Sequence, residues 1–313
     1  PGYEQAVVRV TADGGLEVRV GVHSHGQGME TSLAQIANQI LGVDISKIQV
    51  VLGDTSQTPF STGTYASRSI VMASGAIANA CRALIPRLAA IGGHLMQAAA
   101  GTVRFENGQV VGPIASVSLK DIAGTWYYRP DRLPPDVDVG GLEASVGYRP
   151  NVDTGAFSYA SHAVVVAVDT ALGHIEILDY VIVEDCGTLV NPMIVDGQTL
   201  GGAAQGIGTA MFEESSYDAN GQPLASTFAD YILPGPCEIP SMRIFHMETP
   251  SPYTAFGIKG MGEGGAIAPP AAICNAVNDA LRKLGVEINA TPLSPRRVLA
   301  AIIKANNGRS AAP

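Results

Sequence analysis

Charge is scarce in this sequence. Charged residues make up 15% of the 313 positions against 46% hydrophobic ones, so much of the chain must be interior. That length allows two domains or one large α/β body with an ample core. No basic run interrupts a net charge of −9 and a pI of about 5.1, which makes nucleic acid and anionic membrane poor general partners. Cysteine is scarce too. Cys81, Cys186, Cys237 and Cys274 lie far apart with no CxxC pair, so neither a zinc ribbon nor a disulfide framework is indicated, and a reducing, cytoplasmic setting is expected. There is no signal peptide, lipidation motif or apolar run of transmembrane length, and no membrane insertion is expected. The chain opens at Pro1 without an initiator Met, which reads as a processed or cleaved product.

The common ligand signatures are missing as well. Gly26-Gln27-Gly28 lacks the third glycine and downstream acid of a dinucleotide fingerprint, and neither GxxxxGK[ST] nor GxSxG occurs. His23 and His25 have a spacing that can chelate zinc, but no third ligand joins them; they read as satisfied polar histidines.

What is present is glycine. The 36 glycines fall in separate clusters with no fixed period, which argues for many special backbone positions and against a linker or collagen. A low-charge, glycine-rich body of this kind is expected to carry a large partner surface.

Periodicity places the elements. Residues 6–10 and 16–20 alternate as a hairpin around Asp13-Gly14-Gly15, Leu33 to Leu41 mark one helix face ended by Gly42, and Ile48–Leu52 is a third strand. From Ser69 to about Ala100 runs a long buried helix, or two. Asn107-Gly108 signals a type I′ hairpin, and Ser118 with Asp121 a capping box. Residues 128–150, with four prolines and a Gly140-Gly141 pair, read as a connection and not a core element. The second half then repeats the first: strands at 162–169 and 174–183, a polar loop Glu184-Asp185-Cys186-Gly187-Thr188, and a helix from Asn191-Pro192. A hairpin at Asn220-Gly221, a strand at 242–248, a helix from Pro269 to Leu284 and a last helix capped by Ser294 to about Lys304 complete it, with 306–313 a frayed tail. The expected fold is α/β (α+β), two similar lobes with mixed sheets flanked by helices: 1–127, a connecting segment 128–150, and 151–313.

Four small-residue loops remain: 26–31, 62–69, 185–191 and 257–265. Their N–H groups could converge on an elongated anionic ligand. The last, Gly257-Ile258-Lys259-Gly260-Met261-Gly262-Glu263-Gly264-Gly265, sets one carboxylate among five glycines. A tight turn into a helix accounts for one or two of those glycines and leaves Glu263 unexplained; the other reading makes Glu263 the reactive group and the surrounding amides its ligand cradle, and the choice between them falls to the rest of the chain.

Together these loops resemble the molybdenum-cofactor domain of the xanthine oxidase and carbon monoxide dehydrogenase family of molybdenum hydroxylases. The likeness rests on His25-Gly26-Gln27-Gly28-x-x-Thr31, Gly63-Thr64-Tyr65-Ala66-Ser67-Arg68-Ser69, Asp185-Cys186-Gly187 with Asn191-Pro192, Gly202-Ala203-Ala204-Gln205-Gly206, and 257–263, in the family's order and spacing across nearly the whole chain. The resemblance implies molybdopterin cytosine dinucleotide carrying molybdenum held by the pterin dithiolene, with no side-chain metal ligand. It implies Glu263 as the general base in oxidative hydroxylation of an aldehyde or N-heteroaromatic carbon, with water as the oxygen source. Gln27 would hydrogen-bond an oxo ligand or the pterin. Gln205 would contact the pterin, near Ser67, Ser69 and Lys259, and Gly28, Tyr65, Ala66, Gly260 and Met261 would complete the cradle. Asp185, Cys186, Thr188 and Asn191 would wrap the nucleotide tail, with Cys186 as inert packing. Electrons would leave through iron–sulfur clusters to FAD on partner chains or domains. The family's N-terminal half is not in this sequence, so it is expected as a partner, on a separate chain or a missing segment. Two rivals stay open: a catalytically silent cofactor-binding or assembly subunit, and a metal-free nucleotide-binding module.

Overall fold

In the computed structural model the described residues are 2–99, 101–152 and 156–310. They divide into two compact units. The first comprises Pro1–Phe157 with Gly187–Pro192 and Thr249–Gly260; the second comprises Ser158–Cys186, Met193–Glu248 and Met261–Pro313. Two short segments of the second half thus belong with the first unit.

The first unit is built from β1 (Glu4–Val10), β2 (Leu16–Val20), α1 (Met29–Leu41), β3 (Ile48–Leu52) and α2 (Ser69–Leu95). They are followed by β4 (Arg104–Glu106), β5 (Gln109–Val111), β6 (Ser116–Ser118), α3 (Leu119–Tyr128) and β7 (Glu143–Tyr148). Strict alternation in β1 puts Ala6, Val8 and Val10 into the core, where α1 and α2 cover them. The sheet order is β3-β2-β1-β7, with β2 and β3 parallel and the other pairs antiparallel. The stretch expected as a mere connection therefore supplies an edge strand: Val146 pairs with Ala6, and Leu142 is 2% exposed. Its prolines, at 130, 134, 135 and 150, all lie outside Glu143–Tyr148, leaving a six-residue alternation too short to stand out.

Helix α2 is long and apolar enough to cross a membrane by length and composition, contrary to expectation, but 67% of its most apolar window is buried. Its burial follows from Gly75 and Gly92, which take the Tyr148 ring and Val110 against the backbone. Ser118 caps α3 by accepting from the Asp121 N–H at 3.1 Å, and Asn107 and Gly108 both take positive φ, as a type I′ turn requires.

The second unit holds β8 (Tyr159–Val168), β9 (Ile175–Asp185), α4 (Pro192–Met211), β10 (Met242–Met247), α5 (Gly264–Ile267), α6 (Pro269–Leu281) and α7 (Pro295–Ser310). Its sheet order is β10-β9-β8, antiparallel between β8 and β9 and parallel between β9 and β10. The path antiparallel pair, helix, parallel third strand is that of β1, β2, α1 and β3, so the internal repeat is present in topology.

Four local expectations differ from the structure. Glu184 and Asp185 end β9 and are 2% and 1% exposed, since the ladder to β8 and β10 continues through them. Asn220-Gly221 forms only a turn closed by a single Tyr217–Pro223 bridge, held by Asp218 accepting from the Asn220 and Gln222 N–H groups. Helix α7 runs on to Ser310 through residues with no breaker before Gly308, and the expected tail reduces to 311–313, outside the described residues. The buried Ser294 hydroxyl makes no hydrogen bond, so it does not cap α7.

Candidate functional site

Within the first unit, the predicted loops are joined to one another. The Thr64 hydroxyl donates to the His23 carbonyl at 2.7 Å and accepts from the His23 N–H at 2.9 Å and the Ser69 hydroxyl at 3.0 Å. This ties 23–28 to 62–69. Ala66 and Ser67 then take φ of 48° and 53°, two consecutive non-glycine residues in the left-handed region, which typically costs about 1–3 kcal/mol each. The Ser67 carbonyl reaches the next loop: a Cβ on Gly260 would lie 2.5 Å from it, so only glycine fits there.

The chain of contacts continues. Thr188 donates its hydroxyl to the Phe256 carbonyl at 2.6 Å and its N–H to the Gly257 carbonyl at 3.3 Å, and Gly187 bridges Ile258. Asn191 donates to Gln35 on α1 at 3.0 Å. Since α1 begins at the Gly26–Gly28 loop, four sequence-remote segments form one ring in the first unit. Lys259 is 6% exposed, with its ammonium 2.8 Å from the Thr249 hydroxyl. Gln27 folds back on its own loop, its carbonyl accepting from the His25 N–H. Tyr65 is half-exposed beside Arg68.

The ring is anchored by an ion pair that sequence reasoning missed. Arg68, 3% exposed, reaches the fully buried Glu4 carboxylate at 3.2 Å, the Gly63 carbonyl at 2.7 Å and the Tyr3 carbonyl at 3.0 Å. The signal was available: Glu4 shares the inward face of β1 with Ala6 and Val8, where a carboxylate requires a partner.

The remaining predicted residues belong to the second unit. Asp185 accepts from the Tyr159 hydroxyl at 3.2 Å. Burial, with Glu184 and Asp185 nearby, pushes the Cys186 thiol up to about 12, so it is no thiolate at neutral pH. Gln205 is exposed on α4 and donates to Glu213 at 3.3 Å. Met261 is buried at 7%, and Glu263 is exposed at the N-terminus of α5. The segment after Glu263 rests on α4: a Cβ on Gly202 would meet the Gly265 Cα at 2.9 Å, and one on Gly265 the Thr199 carbonyl at 2.4 Å. That close approach explains the Gly202-x-x-x-Gly206 spacing, since Gly206 likewise admits Pro269. Among the described residues no group of three His, Cys, Asp or Glu side chains is arranged to hold a metal.

Two ββαβ units, with small-residue loops leading into helices, define an α/β chain whose loops bring main chain into close contact. The chain belongs to the molybdopterin cofactor-binding domain family, whose model matches residues 1–240. It is 36% identical over 304 residues to the nicotine 6-hydroxylase large subunit of Paenarthrobacter nicotinovorans, covering 96% of this chain and 37% of that one. It is 34% identical to the carbon monoxide dehydrogenase large chain of Hydrogenophaga pseudoflava, covering 91% and 35%. Quinoline 2-oxidoreductase from Pseudomonas putida 86 superposes with a TM-score of 0.88 at 38% identity, covering 96% of this chain and 38% of that one. The chain thus spans a little over a third of the length of the relatives it matches.

Proposed function

We propose that this chain is the C-terminal part of the large subunit of a cytoplasmic molybdenum hydroxylase, and that Glu263 is its general base. The observation that carries the reading is the ring in the first unit, where loops 23–28, 62–69, 187–191 and 257–260 are joined by hydrogen bonds and close backbone contact. The residues suit a pterin dinucleotide. Gly26 and Gly63 take φ of 96° and 94°, and an added Cβ at either would meet no atom within 4 Å, so they line open space and not packed core. The N-terminus of α1, at Gly28, has no side-chain cap, which favours a phosphate there. Thr188 and Asn191 carry the tail-binding role, with cytosine dinucleotide as the proposed form.

When bound, the molybdenum cofactor supplies the two-electron acceptor. Glu263 takes the proton from the water-derived oxygen as that oxygen bonds to the substrate carbon, and the carbon gives up a hydride equivalent. Gly265 lets the segment after Glu263 lie close against α4, and Gly260 keeps main chain against Ser67. Two relatives are named for nicotine and quinoline, which favours an N-heteroaromatic substrate over an aldehyde. The rest of the large subunit, an iron–sulfur subunit and an FAD subunit complete the enzyme.

The test uses the complex purified with its partners. Glu263→Gln should lower turnover by about 10² to 10⁴ while molybdenum and cytidine nucleotide stay near stoichiometric. Retained turnover removes the base assignment. Molybdenum without substrate-dependent reduction in the unaltered complex favours the silent subunit, and absence of molybdenum the metal-free nucleotide module.

A further inference from the structure

A buried polar network in the second unit has no part in the site so far described. The Glu184 carboxylate, at the end of β9, accepts from the Thr199 hydroxyl at 2.8 Å through Oε1. His246, its neighbour on β10, places Nδ1 3.0 Å from the same oxygen, outside hydrogen-bonding geometry, and Nε2 2.7 Å from Asp196 Oδ1. Asp196 and Thr199 both lie on α4. Two strands are therefore fastened to one helix by side chains of which Glu184 and Thr199 are 2% and 0% exposed. Burial holds the Glu184 carboxyl above the usual carboxylate range, and its Oε2 has no hydrogen-bond partner. An apolar core would be simpler to build at this point.

Helix α4 needs an anchor. It contains Gly197, Gly201, Gly202, Gly206 and Gly208, and each glycine lowers helix propensity by about 1 kcal/mol relative to alanine. Two of them, Gly202 and Gly206, are what let Gly265 and Ala266 lie on the helix. The carbonyl of Thr199 itself forms the floor under Gly265, two residues beyond Glu263.

We propose that Glu184, His246 and Thr199 are positioning residues for Glu263: they fix the turn of α4 on which Gly265 rests, and so set where the carboxylate stands. The inference rests on Glu263 being the base, and the network acts through that loop without touching substrate.

The test is made on the assembled enzyme with Thr199→Val, which removes the hydroxyl at nearly constant volume, and Thr199→Ser, which restores it. In Thr199→Val, hydrogen exchange at amides 262–268 should accelerate about tenfold while those of β8 keep the wild-type rate. Turnover per molybdenum should fall roughly 10- to 100-fold at unchanged KM, the size expected for a misplaced group. Thr199→Ser should recover both. In a Glu263→Gln background the valine should cost nothing further, because the group it positions is gone. His246→Gln gives a second route to the same exchange signature should the valine variant fold poorly. Wild-type exchange at 262–268 in both variants, or an equal loss of turnover in both backgrounds, overturns the proposal. Should Glu263→Gln alone retain turnover, the base assignment fails, and the exchange measurement still decides whether the network holds the loop.

Discussion

The two sheets follow one path and present opposite outer faces. In the first unit that face is charged: Arg9 pairs with Glu17 at 2.8 Å, and Arg19 bridges Glu17 and Glu143 at 3.2 and 3.6 Å. In the second it is apolar around an ion pair, Arg243–Asp179, with Val165 and Phe245 54% and 53% exposed and Val181 and Val183 beside them. The inner faces differ too. The first sheet buries one ion pair, Glu4–Arg68, at the start of its inner strand β1, whereas the second buries Glu184 of its middle strand against Thr199 of α4. Shared topology therefore sets where loops and helices go, and the side chains decide what each unit buries and what it presents.

The largest effect is expected in the first unit. Removing one partner of a fully buried pair leaves the other charge stranded, so Arg68→Ala should cost about 3–5 kcal/mol of stability in denaturant unfolding. Hydrogen exchange should localise the loss to β1 and 62–69. A cost below about 1 kcal/mol would show that the pair is solvated and that the two units are anchored alike.

Next come the two close backbone contacts. A Cβ at Gly260 would sit 2.5 Å from the Ser67 carbonyl, and one at Gly265 2.4 Å from the Thr199 carbonyl. Neither neighbour is a flexible side-chain end, so Gly260→Ala and Gly265→Ala should each lose about 1–3 kcal/mol in thermal melts. The comparison predicts separate consequences: Gly260→Ala reduces molybdenum content, and Gly265→Ala reduces turnover per molybdenum.

The buried acid of the second unit gives a pH test. Burial raises the Glu184 pKa above the ordinary value of 4.5, so the folded state binds this proton more tightly than the unfolded one. Its contribution is fully present below about pH 4.5 and is lost as pH rises through the higher folded value. Glu184→Gln should flatten that part of the stability curve while leaving the first unit's exchange rates unchanged. An unaltered slope would mean that Glu184 is not the group titrating.

The strands of β1, β2, β8 and β9 were legible because alternation survives burial on one face, and α1 because Gly42 ends it. Strand β7 was not, because its identity depends on pairing with β1, 139 residues from Glu4 to Glu143. The motif loops were legible as small-residue clusters, but their joining was not: nothing local to Thr64 announces His23, or to Asn191 announces Gln35. Arg68 stands inside the 63–69 motif, but nothing local to it announces Glu4, 64 residues away.

The smallest effect expected is that of the charged ladder. Arg19 is 22% exposed and Glu143 42%, so solvent screens much of their attraction, and such pairs typically contribute about 0.2–1 kcal/mol. Arg19→Gln should stay within that range in denaturant melts, and the difference should shrink in 1 M salt, where the Debye length is about 3 Å. On the other sheet, Val165→Thr removes exposed apolar surface and should change stability by no more than about 0.5 kcal/mol. Both small values together would show that the contrast between the outer faces does little for folding, since each unit is held from its inner side. A loss of several kcal/mol from Arg19→Gln would instead make the ladder part of the first unit's core.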